Sequence, residues 1–307
     1  MSKRSTAVRR LTVAALALPL ALTACGSNGA VRAGAQSATS ASPTTRPAPK
    51  DVTDKDYDRT RFSHSTAITN HWFPLRPGTR FVYSGRITQD GKRLEHRVVF
   101  TVTDLTKVID GVRNVVLYDL DYNAGQLVEA ELAFHAQDDD GNVWNMGEYP
   151  EEYEDGKFTG APDTWITGLA GARAGVIMRA APRVGASTYL QGWAPAIHFN
   201  DTARVLKTGQ RTCVPVRCYD DVLVTDEFSP DEPDAHQQKF YAPDVGNIRA
   251  AFAGTEEKEK EILELVQLVH LDQAAMAQVR QAALRLDRRA YTSTKGLYRG
   301  TPPAQPA

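Results

Sequence analysis

"RFVYSGRITQDGKRLEHRVVFTVTD", residues 80–104, decides the fold because it contains two strands and the turn between them. Both segments are short, rich in β-branched and aromatic residues, and show the alternation of a half-buried strand. Asp90-Gly91 separates them. An Asp-Gly pair supplies the positive φ angles that a tight hairpin turn requires. The stretch therefore predicts a β-hairpin.

The same turn signal recurs along the next part of the chain. Further Asp-Gly pairs lie at 110/111, 140/141 and 155/156, and Asn123-Ala124-Gly125 lies among them. This spacing leaves about ten to fifteen residues for each strand. Residues 79–158 are therefore predicted to form an antiparallel meander of five or six strands.

Regular strand patterns stop after residue 158 and return later. Residues 160–198 are rich in Gly, Ala and Pro, which predicts long loops with one or two short strands. Strands are predicted again at 200–208, 221–228, 236–242, 247–253 and 259–271. Because open sheet edges invite aggregation, so many strands favour a strongly curved sheet. The predicted fold class is mainly β, a large curved antiparallel meander or barrel-like sheet with a C-terminal α-helix.

The C-terminal helix is predicted from "DQAAMAQVRQAALRLDRRAY", residues 272–291. Asp272 is a good N-cap residue. Apolar residues then follow at helical spacing, which gives one narrow stripe that packs against the sheet. The stripe consists of Met276, Val279, Ala283 and Leu286.

The N-terminus is typical of a lipoprotein signal peptide over residues 1–24. A basic segment precedes a short apolar run, Leu11–Ala24, which is too short for a membrane-spanning helix. Leu22-Thr23-Ala24-Cys25 resembles the lipobox of bacterial lipoproteins, which implies acylation of Cys25 with chains such as palmitate. The alternative is an ordinary secretory signal. The lipobox predicts a lipid-anchored protein on the extracytoplasmic face of a cell membrane.

Composition divides the rest of the chain. Residues 25–55 contain the lipidated Cys and a Ser-, Thr-, Ala-, Gly- and Pro-rich segment, which predicts a disordered tether. A single β-rich extracytoplasmic domain is predicted over 56–290 and a disordered tail over 291–307. Removal of the signal peptide changes the formal net charge from −1 to −5, because it takes away four basic residues and no acid. An acidic chain argues against nucleic acid as the main partner.

Two cysteines remain after Cys25, namely Cys213 and Cys218 in "TCVPVRC". Outside the cytoplasm such a close pair predicts a disulfide. A zinc or redox site is the alternative, but the C-x4-C spacing and the absence of a second pair favour the disulfide.

Several segments together resemble an uncharacterised family of secreted bacterial proteins and lipoproteins. The resemblance covers about residues 62–254 and lies in patterns similar to N-x-x-F-P-L-x-P-G-T, D-G-N-V-W and Y-A-P-x-x-G-x-I. It implies a β-rich extracytoplasmic domain and implies no activity. The C-terminal helix and the Cys pair depart from the family pattern. The segments are "ITNHWFPLRPGTRFVYSG", "AQDDDGNVWNMGE", "EEYEDGKF", "AGVIMRAAPRVGASTY" and "YDDVLVTDEFSPDEPDAHQQKFYAPDVGNIR".

Aromatic residues in turns and loops suggest a ligand pocket. Trp72 and Phe73 precede the first strand and are predicted to plug the sheet from below. If the loops after residue 160 fold over one end of the sheet, their aromatic side chains would line an apolar pocket with Trp72. Core packing explains each residue equally well. The loop residues are Trp165, Tyr189 and Trp193.

"HAQDDDGNVW", residues 135–144, has two interpretations. Asp138, Asp140 and Asn142 carry oxygen ligands of the kind that calcium prefers. The alternative is an Asp-Gly hairpin turn with solvated acids. No other cofactor is predicted.

The acidic cluster 138–155 gives the competing function. Paired carboxylates such as Glu148 and Glu152 could act in an envelope glycan hydrolase. No catalytic residue is otherwise predicted, because the sequence contains neither a nucleophile elbow nor an HExxH motif.

The leading prediction is a non-catalytic binding or structural role in the cell envelope. The predicted partners are the membrane through the lipid anchor, and either a small apolar ligand or an envelope protein or polymer.

Overall fold

A continuous antiparallel meander forms the first part of the sheet. The computed structural model describes residues 51–89, 91–255, 257, 260–294 and 296–307. Each strand of the meander pairs with the next, and the connecting turns carry positive φ angles, for example 47° at Asp110 and 79° at Gly111. The predicted meander is confirmed. Its strands are β1 (Thr79–Gln89), β2 (Lys92–Ile109), β3 (Val112–Asn123), β4 (Gln126–Gln137) and β5 (Val143–Glu154).

Five short strands follow, of which β6 ends the hairpin with β5. The sequence predicted one or two short strands over 160–198, whereas four lie there. They form where the chain meets the edges of longer strands, so tertiary pairing determines them and local periodicity does not reveal them. They are β6 (Lys157–Gly160), β7 (Trp165–Ile166), β8 (Arg173–Met178), β9 (Tyr189–Leu190) and β10 (Gly192–Trp193).

A second meander completes the sheet, and its last strand, β15, pairs antiparallel with β1. The first two of its strands are longer than predicted, because their hairpin continues to the disulfide turn. The strands are β11 (Thr202–Val214), β12 (Arg217–Phe228), β13 (His236–Ala242), β14 (Gly246–Ala253) and β15 (Ile262–His270).

The sheet is large, mainly antiparallel and curved, and it is not closed. Its order is β10-β8-β5-β4-β3-β2-β1-β15-β14-β13-β12-β11-β9. The two ends of this order are consecutive in the chain. Residues 189–190 pair with β11, whereas residues 192–193 pair with β8. This connection holds the two edges near each other, which requires strong curvature.

Helix α1 (Gln273–Ser293) covers one face of the sheet. Asp272 caps it by accepting a hydrogen bond from the Ala275 backbone N–H at 2.8 Å. The predicted stripe is buried, and its Ala283 and Leu286 pack with residues of β2, β4 and β5 in one cluster. The predicted helix and its cap are therefore confirmed. In the described part of the chain, no helix is both long and apolar enough to cross a membrane.

The ends of the domain correct the predicted boundaries. Residues 291–307 were predicted to be disordered, but Leu297–Gly300 forms a 3-10 helix and β16 (Gln305–Pro306) pairs with β2. Tyr298 is fully buried, and burial of so large a side chain favours order in the tail. Residues 51–55 were assigned to the tether, yet the Asp51 carboxylate accepts a hydrogen bond from the Ser187 backbone N–H at 3.0 Å. The signal peptide, Cys25 and the rest of the tether lie outside the described residues.

Candidate functional site

A cavity of about 340 Å³ lies on the face of the sheet opposite α1. Strands from both meanders line it, together with the loop before β1. Its wall has one aromatic part and one polar, charged part. The size and the mixed wall are typical of a small-ligand site, which is concave and mostly apolar with a few polar groups.

The aromatic wall depends on the loop before β1. The Asn70 side-chain oxygen accepts hydrogen bonds from the backbone N–H groups of Trp72 and Phe73, at 2.9 and 3.0 Å, which folds the loop back. Phe73 then lies 6.2 Å from the ring of Tyr241 on β13. The loop therefore has a structural role, as predicted, and also lines the cavity. Phe81, Tyr83 and Phe100 complete this wall.

The polar wall contains acidic residues from neighbouring strands that face each other. Asp119 on β3 lies directly opposite Glu131 on β4, and both line the cavity, as does Asp121. Glu129, opposite Asp121, lies next to the wall and does not line the cavity. Like charges in direct cross-strand positions repel each other. Burial, together with the nearby carboxylates, raises the pKa of Asp119 to about 7 and that of Glu129 to about 8. Burial and the neighbouring Glu148 raise the pKa of Glu131 well above its ordinary value.

Two cations lie close to this acidic wall, and both have carboxylate partners. Burial disfavours the charged form of Lys239, but Glu227, whose carboxylate is 2.7 Å from the ammonium, and the nearby Glu261 and Asp201 together raise its pKa. His96 Nε2 is 2.7 Å from Glu261, and His96 Nδ1 is 3.2 Å from Asp121. In contrast, the buried Oδ1 of Asp119 has no hydrogen-bond partner among the described residues.

His135 links the two parts of the cavity wall. It is 5% exposed, and its ring lies 5.5 Å from that of Phe73. Burial and the charge of Lys239 lower the pKa of His135 to about 3, so the imidazole is neutral. Its Nδ1 has no hydrogen-bond partner in the part of the chain that the structure describes. A buried polar atom without a partner is costly, and a bound ligand could supply one.

The four residues of the predicted aromatic pocket lie in separate surroundings, and none lines the cavity. Trp72 packs at 4.9 Å from the ring of His71, and Trp165 stacks on Phe199 at 5.3 Å. Tyr189 and Trp193 lie under arginine side chains at 4.3 and 5.5 Å. The predicted pocket residues therefore serve the core and the loops.

The residues of the calcium hypothesis form a hydrogen-bonded turn before β5. Asp138 accepts hydrogen bonds from the Asn142 backbone N–H at 2.8 Å and from Trp144 Nε1 at 2.9 Å. Asp140 pairs with Arg61. Among the described residues, no group of three His, Cys, Asp or Glu side chains is placed to hold a metal ion. Calcium binding stays a prediction, and the alternative of a turn with solvated acids does not describe Asp138, whose carboxylate is buried and hydrogen-bonded within the turn.

The acidic cluster 138–155 is spread over both faces of β5 and the turn before it, with Glu148 and Glu152 on one face and Glu151 on the other. Glu148 lines the cavity. Glu151 lies with the α1 layer, where it accepts hydrogen bonds from Tyr149 at 2.8 Å and from Arg289 at 2.7 Å. Glu152 is exposed. This arrangement does not favour a hydrolase that uses the cluster.

The predicted disulfide between Cys213 and Cys218 is present. The two residues are directly opposite each other at the end of the β11–β12 hairpin. The bond therefore closes a turn, as expected for a structural disulfide.

Sequence reasoning did not identify the acidic wall, although a signal was present. In "LYDLDYN" and "VEAELAF" the acids stand two residues apart inside predicted strands. Such spacing places both acids of a strand on one face. Acids at the partly buried centre of two adjacent strands are a stronger signal of a binding site than a run of acids in a turn.

Comparison with known proteins gives remote similarities. No family model matches the chain, and no curated protein matches it significantly. A Bacteroides fragilis protein described as exported and as having a YmcC-like fold is similar, with a TM-score of 0.36, 13% identity, and coverage of 65% of this chain and 99% of that chain. A Parabacteroides distasonis protein described as a lipoprotein is similar with a TM-score of 0.38, 13% identity and the same coverages.

Proposed function

We propose that this protein is a lipid-anchored, non-catalytic lipoprotein of the extracytoplasmic membrane face, and that its domain binds a small ligand. Leu22–Cys25 and the preceding basic and apolar segments support the anchor. The family resemblance of residues 62–254 supports export in the same way. The proposed tether would let the folded domain stand away from the membrane.

The cavity is the observation that carries the binding role. The cavity is a concave cleft open to solvent on one side, and small-ligand sites are concave clefts of similar size. A space of about 340 Å³ with an aromatic wall, a buried polar atom without a partner, and acids from several strands therefore suggests an occupant.

Native mass spectrometry tests the binding role. The full chain with Cys25→Ser is exported by the expression host and purified without detergent. Its native mass spectrum should show a bound molecule as an extra mass, which is lost when the protein is denatured. Ala133 lines the cavity, so Ala133→Phe should remove that mass. Ala274→Phe, on the exposed start of α1, is the matched control and should retain it. A bare chain that also fails to bind ten-carbon amines, alcohols and acids would overturn the binding role.

The anchor has its own test. The native chain should partition with membranes and yield a mature N-terminal peptide that begins at acylated Cys25. The Cys25→Ser variant should move to the soluble fraction. An intact N-terminus or an unmodified Cys25 in the native chain would contradict the anchor.

A further inference from the structure

We propose that the ligand is an organic ammonium ion, with its cationic nitrogen between Asp119 and Glu131 and its apolar part against the aromatic wall. This inference rests on the proposed function, because it names the chemical class that the same cavity would bind. It draws on the charge balance of the cavity, on its aromatic lining and on the polar atoms without partners.

The charge balance favours a cation. Five acidic side chains line the cavity, against one lysine whose ammonium is already 2.7 Å from Glu227 outside that lining. His96 contacts both Asp121 and Glu261, and its single positive charge can neutralise only one of them. Of the lining acids that His96 does not contact, Asp119 and Glu131 are directly opposite each other on β3 and β4, and Glu148 lies close to Glu131. An ammonium placed between these carboxyl groups would relieve their repulsion and make charge-assisted hydrogen bonds.

The aromatic lining suits the remainder of such a ligand. Phe100 on β2 is directly opposite Asp119, and it lies 6.0 Å from the ring of Phe81. Aromatic faces attract organic cations, and the attraction grows where water is excluded. A cation at Asp119 would therefore contact both charged and aromatic groups.

His135 supplies an observation that does not depend on the acids. Its Nδ1 lacks a partner among the described residues, and its side chain lines the same cavity at 5% exposure. A neutral imidazole can donate or accept one hydrogen bond at each nitrogen according to its tautomer. A second polar group on the ligand would satisfy this atom.

The size of the cavity selects the probes. A cavity of about 340 Å³ is within the range of small-molecule sites, so we choose probes with a ten-carbon chain. Decylammonium, decanol and decanoate have the same chain length and differ in the charge of the head group. Calorimetry with the Cys25→Ser chain at pH 7.5 should show decylammonium binding at least tenfold more tightly than decanol, and decanoate more weakly than either.

Variants separate charge from shape. Asp119→Asn combined with Glu131→Gln should reduce decylammonium binding at least tenfold and leave decanol binding within twofold. Asp220→Asn combined with Glu154→Gln removes two exposed acids and should change neither affinity. Loss of decanol binding in the cavity variant, measured on chain that unfolds at its usual temperature, would contradict this assignment of roles.

The pH dependence gives a second readout. Ammonium binding should favour ionised carboxylates, so decylammonium affinity should rise between pH 5.5 and 8 and decanol affinity should not. The groups that face the pair are Asp121, Glu129, Glu148, Glu261, His96 and Lys239.

The outcomes distinguish the two proposals. If no probe binds and native mass spectrometry finds no extra mass on the chain, the proposed binding function fails. If decanol or decanoate binds as tightly as decylammonium, the binding function stands and the ammonium assignment is overturned.

Discussion

The ammonium of Lys107 on β2 lies 3.0 Å from the carboxylate of Asp287 on α1, and both side chains are almost completely buried. Lys107 also donates to the backbone oxygen of Pro302 at 2.7 Å, and Asp287 accepts from Tyr298 at 2.8 Å. The pair therefore joins the sheet, the helix and the C-terminal tail. Burial lowers the pKa of Lys107, and the charge of Asp287 opposes that effect.

Asp287→Ala should strongly destabilise the domain. It would leave a buried ammonium without its carboxylate, and breaking a buried pair costs about 3–5 kcal/mol. Urea unfolding measures this loss.

Lys107→Met combined with Asp287→Leu should cost less than Asp287→Ala, because no buried charge is left alone. Asp220→Ala, which breaks an exposed pair with Arg211, is the control and should change the free energy of unfolding by less than about 1 kcal/mol. Equal losses in all three variants would contradict this view.

The stability of the domain should depend on the protonation of His96. Its side chain is 1% exposed. Burial disfavours the charged imidazole, but the hydrogen bond to Glu261 and the charges of Asp121 and Glu261 outweigh burial and raise the pKa of His96 to about 9. A raised pKa stabilises the fold below the unfolded-state pKa of about 6.5, and this contribution is lost as the pH rises through about 9.

The comparison with His96→Gln isolates this contribution, since glutamine does not titrate. The native chain should be more stable than the variant by a few kcal/mol at pH 6.5, and the difference should shrink towards pH 10. Chemical unfolding at several pH values measures both chains. A difference that stays constant from pH 6.5 to 10 would show that the native imidazole is not charged.

Local chemistry accounts for how far the sequence predicted this fold. The Asp-Gly turns, strand alternation and Asp272 cap act within a few residues, so the meander and helix could be predicted from the sequence. Tyr298 had no such local signal, because its partners lie on β4, β5 and α1. To predict that Asp119 faces Glu131, the register between β3 and β4 must be known. The length of the turn does not give this register, because a bulge at Asp121–Tyr122 shifts it. The cavity further required the curvature that brings β13 towards the loop before β1.

Gly85 should be essential for the join between the two meanders. It lies on β1 opposite Leu263 of β15, and a Cβ atom at this position would overlap the backbone carbonyl oxygen of Ile262. Backbone cannot rotate away as a side chain can, so Gly85→Ala should separate the strands and cost more than the usual overpacking penalty of about 1–3 kcal/mol.

Gly125→Ala is the matched control for this prediction. Gly125 lies in the β3–β4 turn with φ 76°, and a Cβ there would contact nothing within 4 Å. Only backbone strain should appear, at a cost of about 1–2 kcal/mol. Thermal unfolding compares the two variants, and hydrogen exchange should show faster exchange at β1 and β15 in Gly85→Ala alone. Equal stability of the two variants would mean that Gly85 does not pack against the backbone of Ile262. The pairing of β1 with β15, which joins the two meanders into one sheet, would then be wrong.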